Sequence, residues 1–147
     1  MNQSNIAQYI KSMNLIYLVL LVGQVCFGVV VWWFLNQWKA EAQGVFSKYG
    51  MLAFIILVWM AFSSFLLYRK RTARGAKMES LPLKLMHYRT SCIFRWAMLE
   101  FANIAVIMLA FVERNSSIML LFALGIAVFL LTRPGEDSFK SDYEVQL

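Results

Sequence analysis

One stretch, Ile93 to Val112, reading IFRWAMLEFANIAVIMLAFV, limits what this chain can fold into more than any other. As a helix rising about 1.5 Å per residue it is long and apolar enough to cross roughly 30 Å of hydrocarbon. Yet it carries Glu100 and, one turn on, Asn103. A carboxylate in hydrocarbon costs from about 3 to more than about 10 kcal/mol. Glu100 must therefore be covered by other helices, protonated, or in contact with water or an ion.

Three further apolar runs surround it. Leu15 to Leu35 holds no charge, and its exit is marked by Trp32, Trp33 and Trp38, rings suited to the headgroup level. Met51 to Tyr68 ends on Arg69-Lys70-Arg71, and Ser117 to Thr132 ends on Arg133-Pro134-Gly135. With 61% hydrophobic and 15% charged residues, the composition lies well outside that of a soluble domain of this length. The expected fold is all-α: one polytopic membrane domain, spans at 15–35, 51–68, 93–112 and 117–132, arranged as two antiparallel hairpins. The first run has only Lys11 before it and a long core, so it is expected to be retained as a span rather than cleaved.

The net charge of +6 is unevenly placed. Arg69, Lys70, Arg71, Arg74, Lys77, Lys84, Arg89 and Arg95 fall in one region, opposed only by Glu79. A basic cluster beside a span is a cytoplasmic topology signal and a contact for anionic lipid. No nucleic-acid-binding motif accompanies it, so no nucleic-acid partner is expected. Residues 69–92 are thus expected to be a cytoplasmic linker and helix start, with both termini and the acidic tail 133–147 on the same side. Arg69, Lys70, Arg71, Arg74, Lys77 and Arg95 are the anionic-lipid contacts expected.

Within that frame the third helix should begin at Ser80-Leu81-Pro82, with a capping hydroxyl and a proline in the first turn, and run to about Asn115. Glu113-Arg114-Asn115-Ser116 reads as a tight turn, too close to the membrane for the Asn115-Ser116-Ser117 sequon to be a good glycan acceptor. Met1 to Asn14 reads as a short interfacial helix or a frayed start. In the tail, Phe139, Tyr143 and Leu147 recur at helical spacing, which allows a short helix to dock back on the bundle or a solvated tail.

On a helical wheel Glu100, Asn103 and Trp96 share a face, with Arg89 toward the cytoplasm, while Arg95 points elsewhere. Gln24, midway along the first run with Gly28 and Tyr17 on its face, is an amide of matching depth. The expected ion- or proton-binding cluster is Glu100, Asn103 and Gln24, joined by Tyr17 or Ser63. Such a cluster either fixes helix register or takes up and releases a proton or cation. Cys26 and Cys92 are isolated packing residues, and His87 has no second ligand nearby, so no metal and no cofactor are expected. No catalytic motif is visible.

The segment WAMLEFANIAVIML resembles the ion-carrying helix of rotary-ATPase proteolipid subunits, in which a carboxylate is followed by small and aliphatic residues and a neighbouring glutamine assists. That resemblance implies Glu100 as ion carrier and Gln24 as helper, but the glycine-rich packing helix of those subunits is absent here. With its closing LTRPGEDSFKSDYEV, the whole chain resembles uncharacterised bacterial families of small four-span proteins, which implies an architecture and a bacterial inner-membrane location. The leading expectation is a non-enzymatic subunit or accessory protein whose partners are the lipid bilayer and itself or another membrane protein. The alternatives are a proton- or cation-coupled carrier using Glu100 and, third, a lipid-processing enzyme.

Overall fold

The computed structural model describes residues 3–38 and 44–143. Lys39 and Glu41 of the first connection, and Leu147 of the tail pattern, lie outside the described residues. The chain is helical throughout, with no strand among the described residues: α1 (Gln3–Gln37), α2 (Lys48–Gly75), α3 (Leu81–Glu113), a single tight turn at Ser116–Ile118, α4 (Met119–Leu130) and a short α5 (Glu136–Asp142). Three helices are long and apolar enough to cross a membrane, and the run Ser116–Leu130 is shorter.

The long helices outrun the hydropathy signal at the basic end. Residues 3–14 do not form a separate interfacial helix: α1 is continuous from Gln3, and Ile6, Ile10 and Met13 are buried against α3 and α5. The basic linker is likewise mostly helix, because α2 runs on through Arg69, Lys70, Arg71 and Arg74 to Gly75. Arginine and lysine are good helix formers, so leaving the hydrocarbon does not end a helix. α3 begins at Leu81 as expected, with a proline in its first turn, but the Ser80 hydroxyl makes no capping bond. Its end, at Glu113, is set by Arg114 in the left-handed region (φ 53°, ψ 38°).

Side-chain pairings give the directions. Ser47 with Glu113, Tyr68 with Arg95 and Arg71 with Ser91 show that α2 and α3 run in opposite senses. Tyr9 with Arg89, Tyr17 with Trp96 and Gln24 with Asn103 show that α1 and α3 run in the same sense. Helix α3 is the centre, touching α1, α2 and α4. Its inward face carries the large rings of Tyr88 and Trp96 in the first half and small and branched residues, among them Ala102, Val106, Ile107 and Ala110, in the second. The outward faces are apolar and open, as with Leu15, Trp59, Phe62, Phe101 and Leu120, where lipid rather than protein is the natural neighbour.

The end away from the basic residues is stitched by polar contacts. Ser47 Oγ accepts from Gly50 N and donates to Glu113 Oε2 at 2.6 Å. Asn115 Nδ2 donates to the Gly44 carbonyl at 2.9 Å, and its Oδ1 accepts from Ser117 N. The sequon asparagine is thus buried and engaged. At the basic end the tail is docked: Phe139 and Tyr143 are buried, Lys84 Nζ donates to the Tyr143 carbonyl at 3.0 Å, and the Tyr143 hydroxyl lies 2.8 Å from His87 Nδ1. Burial pushes the Tyr143 phenol up to about 12, so it stays protonated at neutral pH.

Candidate functional site

Two polar assemblies interrupt the apolar packing. The first lies at the waist, between a core cluster around Trp96 and Tyr17 and a second around Val106 and Leu35. Here Asn103 Nδ2 donates to Gln24 Oε1 at 2.7 Å, and both side chains are almost completely buried. These are two of the five residues expected to meet. Gln24 Nε2 and Asn103 Oδ1 have no conventional partner among the described residues. The oxygen instead abuts Gly125 of α4, where an added Cβ would overlap it. The glycine hydrogen occupying that direction therefore faces the oxygen, a weak Cα–H donor of the kind that recurs where helices touch closely.

The other expected members go elsewhere. Tyr17 points at the end of α4: its hydroxyl donates to the Phe129 carbonyl at 3.3 Å, its ring stacks on Phe129 at 5.1 Å, and it lies 5.5 Å from Trp96. Ser63 is half-buried, and its neighbour Ser64 is the inward one, its hydroxyl donating to Ala61 O at 2.8 Å. Glu100 is not a buried glutamate. It is half-exposed at the rim of α3, with Ile93, Ala97, Phe101 and Ile104 open around it and no hydrogen bond or ion pair among the described residues. The cause is angular: α1 packs on the Trp96–Asn103 side of α3, and Glu100 falls at the edge of that contact.

A double-mutant cycle measures the waist. Gln24→Leu and Asn103→Leu singly each strand a buried amide, while the pair removes both, so the coupling should be about 0.6 and at most about 1.7 kcal/mol in favour of the native pair. Additive losses in a reversible unfolding assay in mixed micelles would show that the bond contributes nothing.

The second assembly joins residues that stand apart in the sequence. A cavity of about 870 Å³ opens at the basic end between the last turns of α2, the Tyr88–Arg95 stretch of α3, the residues just past α4, and α5. Arg69, Lys77, Arg95 and Arg133 line it against one carboxylate, Asp142. The Arg95 guanidinium lies 4.8 Å from the Tyr68 ring centre and 5.7 Å from that of Phe65, and its Nε is buried without an acceptor. Asp142 is already engaged, accepting from the Tyr68 hydroxyl at 2.6 Å. Among the expected lipid contacts, Arg69, Lys77 and Arg95 converge here, whereas Lys70 and Arg74 stay on the surface and Arg71 turns to Ser91 and the Phe94 ring. Arg133 reads in the sequence only as a helix stop, and Tyr68 only as the end of a span. The signal that could have found them is the Phe139–Tyr143 spacing, which docks α5 and carries Asp142 and Ser138 to the rim.

Compared with known proteins, the chain matches no protein-family model, no curated protein and no solved structure.

Proposed function

We propose that the chain is a four-span, non-enzymatic membrane protein that associates through its helices, and that Glu100 marks the associating face. On this reading the shorter run Ser116–Leu130 completes the fourth crossing, so the helices form two antiparallel hairpins with both termini on the cytoplasmic side. Two features favour that topology. The start of α1, the end of α2, the start of α3 and α5 all meet at the end rich in arginine and lysine, and that end belongs in the cytoplasm by the distribution of basic residues.

The observation that carries the association is the half-exposed, unpaired carboxylate at the rim of an apolar helix. Left against acyl chains, that group is costly, and a hydrogen-bond donor on an adjoining helix removes much of the cost. The partner addressed first is a second copy of the chain. Labelled chains diluted into vesicles should associate, with Glu100→Leu weakening the apparent Kd about tenfold and the amide Glu100→Gln changing it less than about threefold. Association unchanged in Glu100→Leu rejects this reading. Loss of proton or cation uptake in Glu100→Gln, with association intact, replaces it by the carrier reading.

A further inference from the structure

The cavity at the basic end holds more positive charge than the chain neutralises. Arg69, Lys77, Arg95 and Arg133 line it, and the one ion pair among the described residues, Lys140 with Glu136 at 3.9 Å, lies on the outer side of α5. The only carboxylate present, Asp142, has its bond from Tyr68 and no cation within 4.0 Å. Arg95 is the sharpest case, because it stands at the edge of the expected span, over two rings of α2, with a buried donor unanswered. A half-buried guanidinium with an N–H unanswered is well met by an anion with several acceptor oxygens, and phosphate meets an arginine fork in two-pronged fashion.

The surroundings say what the phosphate is attached to. Leu131 and Phe65 line the same cavity and are open to the outside, Leu131 at 84% exposure. Exposed Phe62 and Leu66 continue the apolar surface of α2 from there toward the membrane middle. Polar floor, cationic walls and an apolar lip at the headgroup level fit an amphiphile, not a free ion. The volume falls within the range of about 300–1,000 Å³ usual for ligand sites. We propose that this cavity binds the phosphate headgroup of an anionic phospholipid, Arg95 and Arg69 holding the phosphate while the acyl chains leave over Phe65 and Leu131. The site stands on the cavity and does not depend on Glu100 or on the association proposed above.

Arg69 is exposed and Arg95 is packed, so the two are tested together with a charge-matched control. The full chain in phosphatidylcholine nanodiscs, with and without phosphatidylglycerol, is released into the mass spectrometer and the retained lipid is counted. The native chain should keep one phosphatidylglycerol. Retention should fall about tenfold in Arg69→Gln and Arg95→Gln and stay within about twofold in Lys70→Gln, whose side chain lies outside the cavity. Should Arg95→Gln fail to fold, Arg69→Gln decides alone. An equal loss in Lys70→Gln would reduce the effect to the diffuse pull of a basic surface and overturn the proposal, as would full retention in Arg69→Gln. Displacement of the lipid by millimolar inorganic phosphate or glycerol phosphate would assign the cavity to a soluble anion and overturn the lipid assignment.

Discussion

Trp96→Ala should lower the unfolding free energy by about 3–5 kcal/mol, the range for removing a large buried ring. Trp96 is fully buried where α1, α3 and α4 meet, against Tyr17 and the cluster that includes Phe129. Its loss leaves a void that lipid cannot enter, so the contacts that drive helix packing in a membrane disappear without replacement. A second effect is polar. At and just past the end of α4 two carbonyls are answered from other helices: Thr132 O by Trp96 Nε1 at 3.1 Å, and Phe129 O by the Tyr17 hydroxyl at 3.3 Å, beside its local bonds from the Thr132 N–H and hydroxyl. Trp96→Phe keeps a six-membered ring but removes the N–H and the five-membered half of the indole, so it should cost at least the penalty for an unanswered buried group, about 1–3 kcal/mol, and less than Trp96→Ala. The series is read by reversible unfolding in mixed micelles or by steric trapping in bilayers. A Trp96→Ala variant as stable as Trp96→Phe would mean that the ring is not packed as described.

How far the sequence carries can be judged at these residues. Hydropathy finds lipid-facing runs because it measures what solvates a segment, and α3 and the three apolar helices around it are visible that way. It does not find helix ends, which is why α2 continues through Arg69–Arg74 and α1 begins near Gln3 without any change in the apolar signal. The Gln24–Asn103 bond was foreseeable, since angle and depth on two helices suffice to match two amides. Glu100 and Tyr17 show the limit of that argument. A wheel orders side chains around one axis and says nothing about where the neighbouring helix sits. A packing contact centred on Trp96 and Asn103 leaves Glu100 at the rim. It also sends the Tyr17 hydroxyl to the end of α4, which is short enough to stop at that depth. The cavity was further out of reach, because its arginines come from three separate parts of the chain, late in α2, midway along α3 and just past α4, and meet only once α5 folds back on Phe139 and Tyr143.

Gly125→Val should be the most damaging single substitution in α4, and Gly23→Ala the contrasting gain in α1. At Gly125 an added Cβ would overlap Asn103 Oδ1, with Asn103 Cγ at 3.0 Å and Leu57 Cδ1 at 3.1 Å behind it. A side chain can usually swing from such a collision, but Asn103 is held by its 2.7 Å bond to Gln24 and is walled in by three helices. The strain therefore passes to the helix axes, forcing α4 away from α3. Overpacking of this kind costs about 1–3 kcal/mol for one added methyl, so Gly125→Ala belongs in that range and the branched valine at or above its top. Gly23 has nothing within 4 Å and faces outward, so alanine there should stabilise by up to about 1 kcal/mol through helix propensity. Opposite signs from two glycines in apolar helices separate close approach from general flexibility. The sharper test is Asn103→Ala combined with Gly125→Ala. Shortening the asparagine makes room for the new methyl, so the pair should be less destabilised than the sum of its parts by about 1 kcal/mol or more. Strict additivity in the unfolding assay would mean that α4 does not approach α3 at this point, and with it the explanation of the unpaired Asn103 oxygen would fall.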